Sequence, residues 1–158
     1  MKQENILEVR GLKTYFRLPE GVLKAVDDVD MDVKAGRTLG IIGESGCGKS
    51  VTAHSILNTV QTPGKIHAGS VMYRLRAGEE KDLTALNPNS PQIRNIRGRE
   101  ISMIFQEPMS SMSPVYTIGH QITEAFLTHQ PRADRTARRE AEERAFEMLN
   151  KVGMMNPK

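Results

Sequence analysis

Gly43-Glu44-Ser45-Gly46-Cys47-Gly48-Lys49-Ser50 is the stretch that decides the fold. It satisfies every fixed position of G-x-x-x-x-G-K-[ST], the pattern of a phosphate-binding loop. Glycines let the backbone curl so that successive amides face inward as an anion nest. A helix starting at Lys49 directs its positive end at the same point. Lys49 supplies a point charge for β- and γ-phosphates, and the Ser50 hydroxyl suits Mg²⁺ ligation. Glu44, Ser45 and Cys47 occupy free positions, with Cys47 read as a small spacer, and Val51 closes the candidate nucleotide site 43–51.

The flanks fit this reading. Arg37 to Gly43 is a short apolar run that predicts a buried strand. Residues 49–60 predict a helix with Val51, Ile56 and Val60 on or near one face, ended by Pro63 and Gly64. Upstream, residues 6–17 predict an amphipathic strand, Pro19-Glu20-Gly21 a turn, and residues 22–33 a second strand paired with the first. Downstream, residues 76–98 are rich in charge, Asn, Pro and Gly, and read as a surface insertion with little core. Ile101 to Phe105 predicts another short strand, halted before Pro108. Residues 117–130 predict a helix ending before Pro131. Residues 134–152 predict an amphipathic helix with a Glu140–Arg144 ion pair on its solvated face. The order implies an α/β fold: a P-loop core with an N-terminal antiparallel β part.

Composition narrows the function classes. The 158 residues are 38% hydrophobic and 26% charged, with a net charge of +3. That is globular, and too weakly charged to argue for nucleic acid. No run approaches the length of a membrane span, and the N-terminus has no apolar secretory core, so a cytosolic location is the simplest expectation. A single cysteine excludes an internal disulfide, and four scattered histidines form no metal-ligand spacing. The tail Gly153 to Lys158 reads as a loop after a helix, which suggests an incomplete domain.

A second cluster carries a family resemblance. Gln106 lies 57 residues after Lys49, at the end of an apolar run and within Ile104-Phe105-Gln106-Glu107-Pro108-Met109-Ser110-Ser111-Met112-Ser113-Pro114. This resembles the Q-loop of ATP-binding cassette (ABC) transporter ATPases. The fuller run Ile96 to Pro108, the loop's Gly43 to Gly46, Gly21 to Asp27 upstream and Thr117 to Ile122 downstream are similar to the oligopeptide, dipeptide and nickel importer branch. The resemblance spans essentially the whole chain.

The resemblance implies an aromatic residue that stacks on adenine. Phe16 fits best, with Tyr15 the alternative on the opposite face. It implies that Gln106 reaches Mg²⁺ or the attacking water through its amide oxygen. It divides the chain into a β subdomain (1–35), a P-loop core (36–106) and the start of a helical subdomain (107–158), whose groove receives a helix from a membrane-spanning partner. The implied cofactors are ATP and Mg²⁺. The implied partners are a second ATPase subunit, transmembrane permease subunits and, indirectly, a solute-binding protein, at the cytoplasmic face of the membrane. The signature loop, the strand ending in Asp-Glu and the switch histidine of such ATPases do not occur in these residues, and Met112-Ser113-Pro114 stands where relatives often show Leu-Asn-Pro. This chain alone is therefore expected to be marginally stable, to bind nucleotide weakly and to be inactive in hydrolysis. Two other readings compete: a non-hydrolytic half-cassette, and a small P-loop kinase drafting the arginines of 132–144 into a lid.

Overall fold

The computed structural model describes residues 4–106, 112–130 and 134–154. They form two compact units, one up to Ser102 and one from Met103 onward.

The first unit is built on a four-stranded antiparallel sheet in the order β2-β1-β3-β4, with β1 Asn5–Leu18, β2 Gly21–Lys34, β3 Gly64–Arg74 and β4 Glu80–Asp82. The β1–β2 hairpin is the one expected, closed where Leu18 faces Gly21. A bulge at Gly11 organises the sheet. Val9 pairs with Met31 but Leu12 with Val29, and Arg10 pairs with Ser70 but Lys13 with Ala68, so β1 carries one extra residue against both neighbours. Gly11 has φ 55°, and its amide donates to Asp30 Oδ1 at 2.6 Å. The extra residue shifts the alternation, so Leu7 and Val9 before it and Leu12 and Thr14 after it all point into the core. Gly69 lies opposite: a Cβ there would stand 2.5 Å from the Gly11 carbonyl oxygen.

Helix α1, Lys49–Ile56, is shorter than the 49–60 read from sequence. It buries Thr52 and Ser55, while Val51 and Ile56 pack at the edge of the core. Strand β3 has no counterpart in the sequence reading, because Ala68-Gly69-Ser70 interrupts the β-branched run that marks a strand.

The segment 76–98 corrects a second expectation. The sequence reads as a surface insertion with little core, yet the segment supplies three core residues. Leu83, Ile93 and Ile96 are buried with Leu7, Val9, Leu12, Val26, Val71 and Tyr73 in one cluster. Ile93 and Ile96 lie one turn apart on helix α2, Pro91–Ile96, which starts with Ser90 as N-cap and Pro91 in its first turn. Polar residues dominate the segment by number, and three buried aliphatics decide its placement.

The runs 37–43 and 101–105 are not strands. Leu39, Ile41 and Ile42 are exposed, Ile42 to 99%, and Ile104 is 98% exposed. Apart from one isolated bridge between Arg97 and Ile101, neither run belongs to a ladder. A fully apolar run becomes a strand only where neighbours pair with it and layers cover both faces. Among the described residues these runs find neither.

The second unit holds α3, Ile118–Leu127, and α4, Arg135–Lys151, packed against each other. Thr117 caps α3 by accepting from the His120 amide, and Asp134 caps α4 by accepting from the Ala137 amide at 2.8 Å. Ala141 and Ala145 are the buried stripe of α4. Its ion pairs are Arg138–Glu142, Arg139–Glu143 and Glu147–Lys151, and the expected Glu140–Arg144 pair does not form. Pro108, Ser110, Ser111, Pro131 and the tail 155–158, on which parts of the sequence reading rested, lie outside the described residues.

Candidate nucleotide-binding site

Residues 43–48 form a glycine-rich loop leading directly into α1. Gly46 has φ 84° and Gly48 φ 93°, the left-handed region open to glycine. Gly48 is the N-cap of α1 and no side chain caps the helix start, so the first-turn amides face the loop. A Cβ on Gly48 would run into the Ala25 carbonyl oxygen, and one on Gly43 would lie 2.5 Å from Cys47 Sγ. Close backbone approach therefore requires glycine at 48, whereas at 43 the crowding comes from the Cys47 side chain. The Cys47 amide donates to the Glu44 carbonyl at 3.3 Å, which closes the turn.

Lys49 folds back over the loop. Its Nζ donates to the carbonyl oxygens of Gly43 and Glu44, each at 2.7 Å, and to Cys47 Sγ at 3.5 Å. The two carbonyls hold the ammonium where phosphate oxygens could replace them. Ser50 is exposed in the first turn of α1, Val51 behind it is half-buried, and Ser45 is exposed. The donor set (curled amides, one ammonium, one hydroxyl) suits a polyphosphate with a divalent cation.

Phe16 is half-buried near the end of β1. Its ring edge covers Gly64, where a Cβ would stand 2.6 Å from the ring and 2.8 Å from Val60. Tyr15 is engaged differently. Its hydroxyl donates to Asp27 Oδ1 at 2.5 Å, its ring lies 5.0 Å from that of His67, and Lys24 Nζ sits 5.4 Å from its centroid. The Tyr15 bond, and then Lys24, hold the Asp27 carboxyl below its ordinary range. The same bond holds the Tyr15 hydroxyl above its own.

Gln106 is exposed in a bend and belongs to the second unit, whereas Phe16 and residues 43–51 belong to the first. In the second unit a groove of about 530 Å³ runs between α3 and α4, lined among others by His120, Thr123, Leu127, Ala145, Phe146 and Leu149. Gln121 fixes the approach to α3. Its Oε1 accepts from the Ser113 amide at 2.8 Å, and its Nε2 donates to the carbonyls of Ser113 and Tyr116 at 3.0 and 2.9 Å.

Arg97 was not singled out by sequence reasoning. Its Nε donates to the Leu57 carbonyl at 2.8 Å, and its terminal nitrogens donate to the carbonyls of Pro88, at 2.9 Å, and Asn58. Burial lowers its pKa from the ordinary arginine value. Its only sequence signal was its place in the run Ile96-Arg97-Gly98, which names no partner.

Loop, lysine and following helix define a P-loop architecture. The sequence pattern of the ABC transporter family matches residues 26–158, and the chain belongs to that family. Among similar proteins, an oligopeptide transport ATP-binding protein of Bacillus subtilis is 46% identical over 149 residues, covering 94% of this chain and 42% of that protein. A dipeptide transport ATP-binding protein of the same organism is 38% identical over 155 residues, covering 98% and 43%. The chain thus spans less than half the length of the curated relatives it matches. A solved dimeric bacterial ABC transporter cassette superposes with a TM-score of 0.73 over 91% of this chain and 56% of the cassette, at 21% identity. The same cassette in a post-hydrolysis state with ADP and Pi gives 0.70 at 20% identity. These likenesses establish the fold as that of an ABC cassette, of which this chain carries a part. The family assignment excludes the small-kinase reading.

Proposed function

We propose that the chain forms the nucleotide-binding part of an ATP-binding subunit powering peptide import. The observation that carries this is the Lys49 ammonium, held by the Gly43 and Glu44 carbonyls inside a loop that opens onto an uncapped helix start. ATP would place its β- and γ-phosphates there, and the Ser50 hydroxyl would ligate the accompanying Mg²⁺. Mg²⁺ held by Ser50 would supply charge neutralisation at the phosphates. Phe16, with Tyr15 as the alternative, would stack on adenine. Gln106 would report γ-phosphate occupancy through its amide oxygen to the helical part beginning near residue 107. The α3–α4 groove would receive a helix of the permease, and a second ATPase subunit would complete the working pair at the cytoplasmic face of the membrane.

Peptide as cargo is supported by the 46% identity to an oligopeptide transport protein. The test is uptake in cells carrying the transporter. Lys49→Ala is expected to abolish ATP-dependent uptake of a labelled oligopeptide. Loss of nickel uptake with peptide uptake unchanged would refute peptide as cargo.

A further inference from the structure

We infer that Arg97, together with Asn58, is a positioning residue for the phosphate-binding loop, acting by holding the far end of α1. This rests on the nucleotide-binding reading above. Helix α1 has eight residues, too few to be stable by itself, so its ends must be held from outside. Three contacts do this. Gly48 packs on the Ala25 backbone at the loop end, and Ser55 bonds Thr14 in the last turn. At the C-terminal end the Arg97 guanidinium gathers the carbonyls of Leu57 and Asn58, which follow the helix, and ties them to Pro88.

Asn58 answers in the opposite direction. It sits at φ 52°, and its Nδ2 donates to the carbonyls of Leu83 and Leu86 at 3.2 and 2.8 Å. The two side chains therefore cross between the end of α1 and the segment 83–97. That segment is itself anchored by Leu83, Ile93 and Ile96 in the core. A cation at this end also complements the helix dipole. Without the bracket the C-terminal end of α1 loses its carbonyl anchors, and any shift of so short a helix loads the Gly48–Ala25 packing beside Lys49.

The experiment is MgATP binding, by calorimetry, to the whole ATP-binding subunit that carries this chain. Arg97→Ala is expected to raise the Kd roughly tenfold, as when the competent loop falls to about a tenth of the population. Arg97→Lys, which keeps three donors without the planar fork, should fall between, and millimolar methylguanidinium should restore the Ala variant. Gly78→Ala, at a left-handed φ of 87° in a turn with open space around it, should lower the melting temperature and leave the Kd within about twofold. If Arg97→Ala does not fold, the Lys variant decides against Gly78→Ala at matched stability. The inference is overturned if a folded Arg97 variant binds like the parent, or if Gly78→Ala weakens binding equally. Absence of MgATP binding in the parent subunit overturns the nucleotide reading itself, and this inference with it.

Discussion

The hydroxyls of Thr14 and Ser55 lie 2.8 Å apart, both fully buried, where β1 meets α1. Ser55 Oγ also lies 2.7 Å from the Val51 carbonyl, to which it donates. A hydroxyl has one proton, so Thr14 donates to Ser55 and Ser55 to Val51. This relay joins the strand carrying Phe16 to the helix carrying Lys49 and Ser50, and it leaves neither buried hydroxyl unpaired.

Ser55→Ala strands the Thr14 hydroxyl in the core and is expected to cost about 1–3 kcal/mol. The double variant Thr14→Val, Ser55→Ala removes both partners and should recover part of that loss, with a coupling of about 0.5–3 kcal/mol. Urea unfolding of the two singles and the double measures it. Strict additivity would show that the hydroxyls do not act together.

Lys49→Met is expected to leave the unfolding midpoint nearly unchanged, within about 0.5 kcal/mol, because its contacts are exposed loop carbonyls. It should abolish MgATP binding. Retained binding, read by calorimetry, would remove Lys49 from the cradle.

Gly48→Ala combines a left-handed φ of 93° with a Cβ driven into the Ala25 carbonyl. Strain of this kind costs of order 1–3 kcal/mol. The expected outcome is a lower melting temperature together with loss of nucleotide binding. Gly78→Ala, at φ 87° with open space around it, should lower stability and spare binding.

Tyr15→Phe removes the largest cause of the lowered Asp27 pKa, so that carboxyl should titrate closer to its ordinary 3.8 in an NMR titration. A depressed carboxyl pKa adds stability that is fully present above the unfolded value. That stability is lost as pH falls below about 3.8 through the folded value. The parent should therefore lose more stability than the variant over this acid window. Equal acid sensitivity would show that the Tyr15–Asp27 bond does not persist in solution.

Gln121→Leu removes all three bonds to the 113–116 turn. Hydrogen exchange at the Ser113 amide should accelerate by an order of magnitude or more, corresponding to about 1.4 kcal/mol, while α4 amides are unaffected. Unchanged exchange at Ser113 would mean that the turn holds itself.

The glycine-rich loop was legible because its pattern is local. Gly43 to Ser50 are contiguous, and each residue's role follows from its own backbone freedom, charge or hydroxyl. The β1–β2 hairpin was legible for the same reason, since alternation and a turn lie within thirty residues. The two apolar runs at 37–43 and 101–105 were misread as strands because apolarity records a need for burial and cannot supply the strand that meets it. The importance of 76–98 was hidden by its many polar residues, since Leu83, Ile93 and Ile96 matter by where they land. Sequence alone thus determined the family and the glycine-rich loop, and it singled out the residues proposed to hold a nucleotide. Tertiary structure alone decided that Thr14 pairs with Ser55 across 41 positions and that Arg97 closes on Leu57 across 40. Such partners are chosen by packing between distant segments, and no pattern of spacing along the chain encodes a distance in space.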